Sequence, residues 1–231
     1  GRIVWINHVC AAVRDRLGRQ TGIRSTNLDI TARKQAEDRV THMAYYDPLT
    51  ELPNRRWLHR EVEQLIEEAG AADRRFAVLF LDLKRFKNIN DSFGHHFGDR
   101  LLQHITNRLR AVSPGESCVA RVGGDEFVFL LPDAETAEQA TQAARELLTT
   151  VERPMELDGT DLVISGRVGI AFYPADGEDT DTLVRNADLA MYKAKDDPAM
   201  QINFYSSQLT RDAARFVSTE RDIYRGLEER E

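Results

Sequence analysis

Two short apolar runs, residues 118–122 and 127–131, are separated by only four residues, Gly123-Gly124-Asp125-Glu126. Strands held that close must fold back on one another, and paired glycines supply the backbone freedom a tight turn needs, so the segment specifies a β-hairpin. A third apolar run, residues 75–83, is hydrophobic on both faces and is broken near its end by Asp82. Such a strand belongs in the middle of a sheet covered on both sides. Helical periodicity over 54–68, 98–112, 134–151 and 182–195, with further strands over 162–173 and 202–205, supplies the cover. The element order is then α-β-α-β-β-α-β-α-β.

Helices spaced between strands around one central hairpin predict an α+β class domain, a central mixed sheet with helices packed against it in the ferredoxin-like or polymerase-palm manner. Around it lie smaller pieces. Residues 1–29 read as two strands about a turn at 14–19, and a lone hairpin is marginal in water, so it needs something to pack on. From Thr31, a candidate N-cap, Ala36, Val40 and Met43 form one narrow apolar stripe. That stripe fits either a helix lying on its own domain or a short coiled-coil linker between protomers. The tail over 209–231, with Arg and Glu runs, reads as a solvated helix. The length of 231 residues suits this division into one full domain and a smaller piece.

Composition removes several functional classes. A net charge of −7 argues against a nucleic-acid coat, so a phosphate ligand would need local cations, metals or backbone amides. The two cysteines, Cys10 and Cys118, have no metal or disulfide spacing and fit a reducing cytoplasm. The longest apolar runs, such as 76–81, fall far short of the roughly 18 residues of a membrane helix, and no signal-peptide pattern opens the chain.

In a palm-type sheet the end of the first strand lies beside the central hairpin, so Asp82, Asp125 and Glu126 would converge at one edge. Clustered carboxylates repel unless a cation neutralises them, and oxygen-only ligands suit Mg²⁺ or Mn²⁺. Two such ions serve in-line phosphoryl or nucleotidyl transfer. Spacing alone also allows the plainer reading, a Gly-Gly-Asp turn with solvated acids.

The longer strings decide more. Arg121-Val-Gly-Gly-Asp-Glu-Phe127 resembles the signature of GGDEF domains, the diguanylate cyclases. Residues 47–55 (DPLTELPNR) are similar to that family's opening motif, residues 81–99 to its metal and guanine segment, and residues 187–195 to its late helix, in the correct order over about 47–205. The resemblance implies that Asp82, with the Leu83 carbonyl, holds the metal and that Asp125 is a second ligand and the base for a ribose 3′-hydroxyl. It makes Glu126 a further support of the metals, and Asn90, Asp99 and His95 guanine or substrate contacts. Phe86 and Lys87 would offer backbone amides to the triphosphate, Gly123 and Gly124 would let the nucleotide approach, and Lys195 would add a cation. Guanine presents N1–H and N2–H₂ side by side to one carboxylate; adenine does not. The implied reaction condenses two GTP into cyclic di-GMP and two pyrophosphates across a homodimer.

At the front, Trp5, Asp15, Gly18, Gly22 and Asp29-Ile-Thr31 resemble the last hairpin of a PAS sensor domain. The expected organisation is therefore 1–30 PAS hairpin, 31–46 signalling helix, 47–206 GGDEF domain and 207–231 linker helix. Two departures stand out. The product-binding inhibitory site of many members has Pro114 and Ser117 at its key positions, so no product inhibition is expected there. After Lys195 the usual Gly-Arg-Asn is Pro198-Ala199-Met200, so a triphosphate-facing arginine is absent and GTP binding is expected to suffer. The tail resembles the linker into an EAL phosphodiesterase domain. If one follows in the parent protein, the alternative is a catalytically weak GGDEF domain that binds GTP and regulates that partner.

Overall fold

A computed structural model describes residues 3–72, 74–112, 119–193 and 200–205. The chain divides into two compact units, Gly1–Tyr45 and Tyr46–Glu231.

In the first unit, β1 (Ile6–Arg14) pairs antiparallel with β2 (Gln20–Asp29). The connecting turn is tied by Asp15, whose carboxylate accepts from Leu17 N at 2.8 Å and Arg19 N at 2.9 Å, while Gly18 supplies a left-handed φ of 78°. Helix α1 (Thr31–Tyr45) follows. Thr31 does not cap it with its own hydroxyl, which instead accepts from Trp5 N at 2.9 Å; Asp29 Oδ1 accepts from Thr31 N at 2.8 Å. Short polar side chains two residues before a helix compete well for its free N–H groups, which is why Asp29 takes this role.

The second unit is built on a five-stranded sheet in the order β4-β5-β3-β8-β9. Its strands are β3 (Phe76–Leu83), β4 (Val119–Gly123), β5 (Glu126–Leu131), β8 (Gly166–Tyr173) and β9 (Ile202–Phe204). All neighbours are antiparallel except β9, which runs parallel to β8, so the sheet is mixed as the sequence order implies. Helices α2 (Arg55–Ala72), α3 (Phe86–Phe93), α4 (His95–Val112), α5 (Ala137–Glu152) and α6 (Thr180–Lys193) cover it.

Alternate residues of the central strand face opposite layers. Ala77, Leu79, Leu81 and Leu83 join the main core with Leu101, Ile105, Ala140, Ala144 and Leu148 of α4 and α5. On the other face α6 lies directly on Gly169, where a Cβ would strike the Ala187 carbonyl and the Met191 amide. Asn54 starts α2 by accepting from Arg56 N and Trp57 N, and Thr136 with Gln139 forms a capping box on α5.

Three expectations need correction. The helix expected over 98–112 begins at His95, and α3 precedes it. The strand expected over 162–173 begins only at Gly166. Before it, β6 (Met155–Leu157) and β7 (Thr160–Leu162) form a small separate hairpin. Its turn uses positive φ at Asp158 and Gly159, 54° and 75°, which folds the chain back on itself and draws Leu162 into β7 rather than β8.

Candidate active site

The turn between β4 and β5 is built from backbone outward. Gly123 pairs with Glu126 across the hairpin, and Gly124 takes a positive φ of 29°. Arg121 grips the turn from behind: its Nε and Nη2 donate to the Gly124 carbonyl at 3.0 and 2.7 Å, and its Nη1 meets Asp47 Oδ1 at 2.7 Å. Asp47 also accepts from Thr50 N and Thr50 Oγ1. Burial pushes the Asp47 carboxyl up, but the hydrogen bonds from Thr50 and Arg121 outweigh it and hold it below the usual carboxylate range.

The hairpin is docked against the end of β3, where Leu83 N donates to the Asp125 carbonyl at 3.3 Å. Asp82 is directly opposite Glu126 on β5 and directly opposite Arg167 on β8. Residues facing one another across strands project to the same side, so Glu126, Asp82 and Arg167 form one row, with Asp125 in the adjoining turn. All four are half-buried. The sheet thus brings the three acids to one edge. Among the described residues, however, no three His, Cys, Asp or Glu side chains close to metal-ligand separation. The donor set of carboxylates and a main-chain carbonyl, free of sulfur and nitrogen, fits a hard divalent ion.

Beyond β3 the chain turns sharply. Arg85 adopts a left-handed φ of 63° and α3 starts at Phe86, so the amides of buried Phe86 and exposed Lys87 lie in the first turn, where no helical acceptor exists. Asn90 is half-buried, and its Oδ1 is shielded from solvent without a hydrogen-bond partner. It lies against Gly98 of α4, where a Cβ would collide with it. Asp99 is half-buried one residue further on, and His95 is exposed at the start of α4. Lys195, Pro114, Ser117, Pro198 and Ala199 lie outside the described residues.

Sequence reasoning passed over three participants. Arg121 stood inside a quoted motif without a role, and nothing local marks it as the clamp on the turn. Gly98 is required by the approach of α3 to α4. Arg167 looked like one polar residue in a strand, and only the pairing register places it beside Asp82.

A palm-like mixed sheet with acids on a central strand and the neighbouring hairpin turn defines a class of nucleotide-handling domains. Residues 44–201 match the family described as diguanylate cyclase, GGDEF domain, and the chain belongs to that family. It is 38% identical over 229 residues to the bifunctional diguanylate cyclase/cyclic di-GMP phosphodiesterase MucR of Pseudomonas aeruginosa, covering 99% of this chain and 33% of that protein. It is 38% identical over 166 residues to the diguanylate cyclase TpbB of the same species, covering 71% of this chain and 38% of that one. A solved structure comprising only the GGDEF domain of TpbB, also called YfiN, superposes with a TM-score of 0.66 at 35% identity, over 75% of this chain and 99% of that one. The chain therefore spans well under half the length of these two relatives. Among the described residues no helix is long and apolar enough to cross a membrane.

Proposed function

We propose that this chain is a cytoplasmic diguanylate cyclase, which joins two GTP into cyclic di-GMP and releases two pyrophosphates. The observation that carries the reading is the row that sets Asp82 against Glu126, with Asp125 in the glycine turn beside them, in a chain of this family. In each half-reaction a ribose 3′-oxygen attacks an α-phosphate, the new P–O bond forms as the bond to the β-phosphate breaks, and pyrophosphate leaves. Asp125 accepts the hydroxyl proton. Asp82, the Leu83 carbonyl, Asp125 and Glu126 would hold Mg²⁺ or Mn²⁺, which would supply charge against the triphosphate.

The remaining residues bind and orient. Asp99 accepts from the guanine N1–H and N2–H₂ pair, and Asn90 gives its otherwise unmatched amide oxygen a partner there. His95 borders the base. The amides of Phe86 and Lys87 face the triphosphate as a helix N-terminus does, and Lys195 adds charge. Gly123 and Gly124 leave room for close approach. One domain holds one GTP, so two protomers meet face to face. The PAS-like hairpin of 1–30 and the helix of 31–46 set the geometry of that pair ahead of the 47–206 domain and the 207–231 linker. With Pro114 and Ser117 in place of the inhibitory pair, product does not inhibit through that surface.

A second reading is favoured by one observation: Ala199 stands where the family's phosphate-facing arginine is expected, so the domain would bind GTP and regulate an attached EAL phosphodiesterase domain with little turnover. Purified chain incubated with GTP and Mg²⁺ separates the two. Cyclic di-GMP and pyrophosphate, reduced at least about 10³-fold in Asp125→Ala, support the enzyme. Tight GTP binding without product supports the regulator.

A further inference from the structure

We propose that Arg167 holds the phosphate end of the nucleotide from the strand side of the site. The inference rests on the guanine-nucleotide reading above and adds to it a residue that no motif of the chain assigns.

Arg167 stands on β8 directly opposite Asp82, which is itself opposite Glu126. A cation set beside two acids on one sheet face would ordinarily serve as their counter-ion. It does not here: among the described residues the ion pairs involve Arg19, Arg33, Lys34, His59, Arg100 and Arg121, not Arg167. Its Nε is shielded from solvent and donates to nothing in the described residues. A guanidinium is always charged and carries five donors in a fixed fork, so a buried unmatched N–H on it is costly and calls for an acceptor.

A guanidinium with an orphaned donor, set in a row with carboxylates suited to a divalent ion, makes a site for a multiply charged oxyanion. A triphosphate suits both halves: it would share a divalent ion with the acids and offers non-bridging oxygens to the Arg167 fork. Helix α6 lies across Gly169, two residues along β8 on the same face, with Ala187 and Met191 against it, so α6 walls this face of the sheet beside the row.

The test is equilibrium binding of three probes in Mg²⁺: a GTP analogue with a non-cleavable α,β bridge, guanosine, and inorganic pyrophosphate. Wild type is compared with Arg167→Gln and Arg167→Lys, with melting curves to check folding. Arg167→Gln is expected to weaken the GTP analogue and pyrophosphate at least tenfold and to leave guanosine within twofold. Arg167→Lys recovers part of the loss, because the charge stays and the fork goes. In turnover the KM for GTP rises more than kcat falls. Unchanged GTP binding in Arg167→Gln, or equal losses for GTP and guanosine, overturns the inference and leaves the proposed activity standing. If wild type binds pyrophosphate in an Arg167-dependent way but not guanosine, the inference holds and the guanine reading fails. Should Arg167→Gln not fold, the GTP-against-guanosine split of Arg167→Lys decides.

Discussion

The hairpin β1–β2 and the central strand β3 both pair antiparallel, yet they use apolar residues in opposite ways. In β3 Phe76, Ala77, Val78, Leu79, Phe80 and Leu81 are all buried, because helices cover both faces of the sheet. In the hairpin Ile6, Val9, Val13, Ile23 and Leu28 are exposed, from 41% for Val13 to 68% for Ile23. A hydrogen-bonded ladder has the same local geometry in both places. What differs is the second layer, and the hydrophobic contribution comes from that layer rather than from pairing.

Substitutions should divide along the same line. Phe129, fully enclosed between β5 and the α4–α5 layer, is expected to cost about 3–5 kcal/mol as Phe129→Ala in urea unfolding followed by circular dichroism. A loss under 1 kcal/mol would mean that the sheet's cover is looser than its burial indicates. An intermediate effect belongs to the Asp47–Arg121 pair, whose side chains are 20% and 11% exposed. Arg121→Ala removes the clamp on the turn and should cost about 2 kcal/mol. Asp47→Asn tests the same clamp through pH. The folded carboxyl titrates below its ordinary value of about 3.9, so its contribution is complete above that pH and is lost as pH falls through the lowered folded value. The gap between wild type and Asp47→Asn should therefore be flat near neutrality and close in acid. A gap that widened in acid would reverse the assignment. The smallest effect is expected in the hairpin, where Ile23→Thr in this chain should change stability by less than about 0.5 kcal/mol. A larger loss would show that this face is covered in solution.

How much was legible from sequence follows the same physics. Strands such as β3 and β5, whose apolar runs are long and bounded by turn residues, were readable within a residue or two, and so was their role in carrying Asp82 and Glu126 to one edge. Helix α3 escaped because eight residues give barely two turns of periodicity, and its start depends on Arg85 in a left-handed conformation that no composition rule favours. The β6–β7 hairpin escaped because three-residue strands have no measurable alternation and Leu162-Val163-Ile164 looks continuous with β8. The direction of β9 depends on how the chain crosses α6, which is a property of the whole sheet. Of the site, the acids and Asn90 could be named from motifs, whereas Arg167 and the service of Arg121 to the turn depend on register. Register is fixed by tertiary packing and cannot be read from one strand at a time.

The clamp behind the turn has a mechanical side. The segment that opens the second unit is fastened by Arg110 to the Glu51 carbonyl, by Gln103 to the Leu49 carbonyl and by Arg121 N to the Pro53 carbonyl. Asp47 in that segment holds Arg121, and Arg121 holds Gly124, next to Asp125. From Asp47 to the turn there are two polar links, both made through the Arg121 side chain. A displacement of the backbone near Tyr46 therefore has a short polar route to the acidic turn, with α4 holding the same segment from its other side.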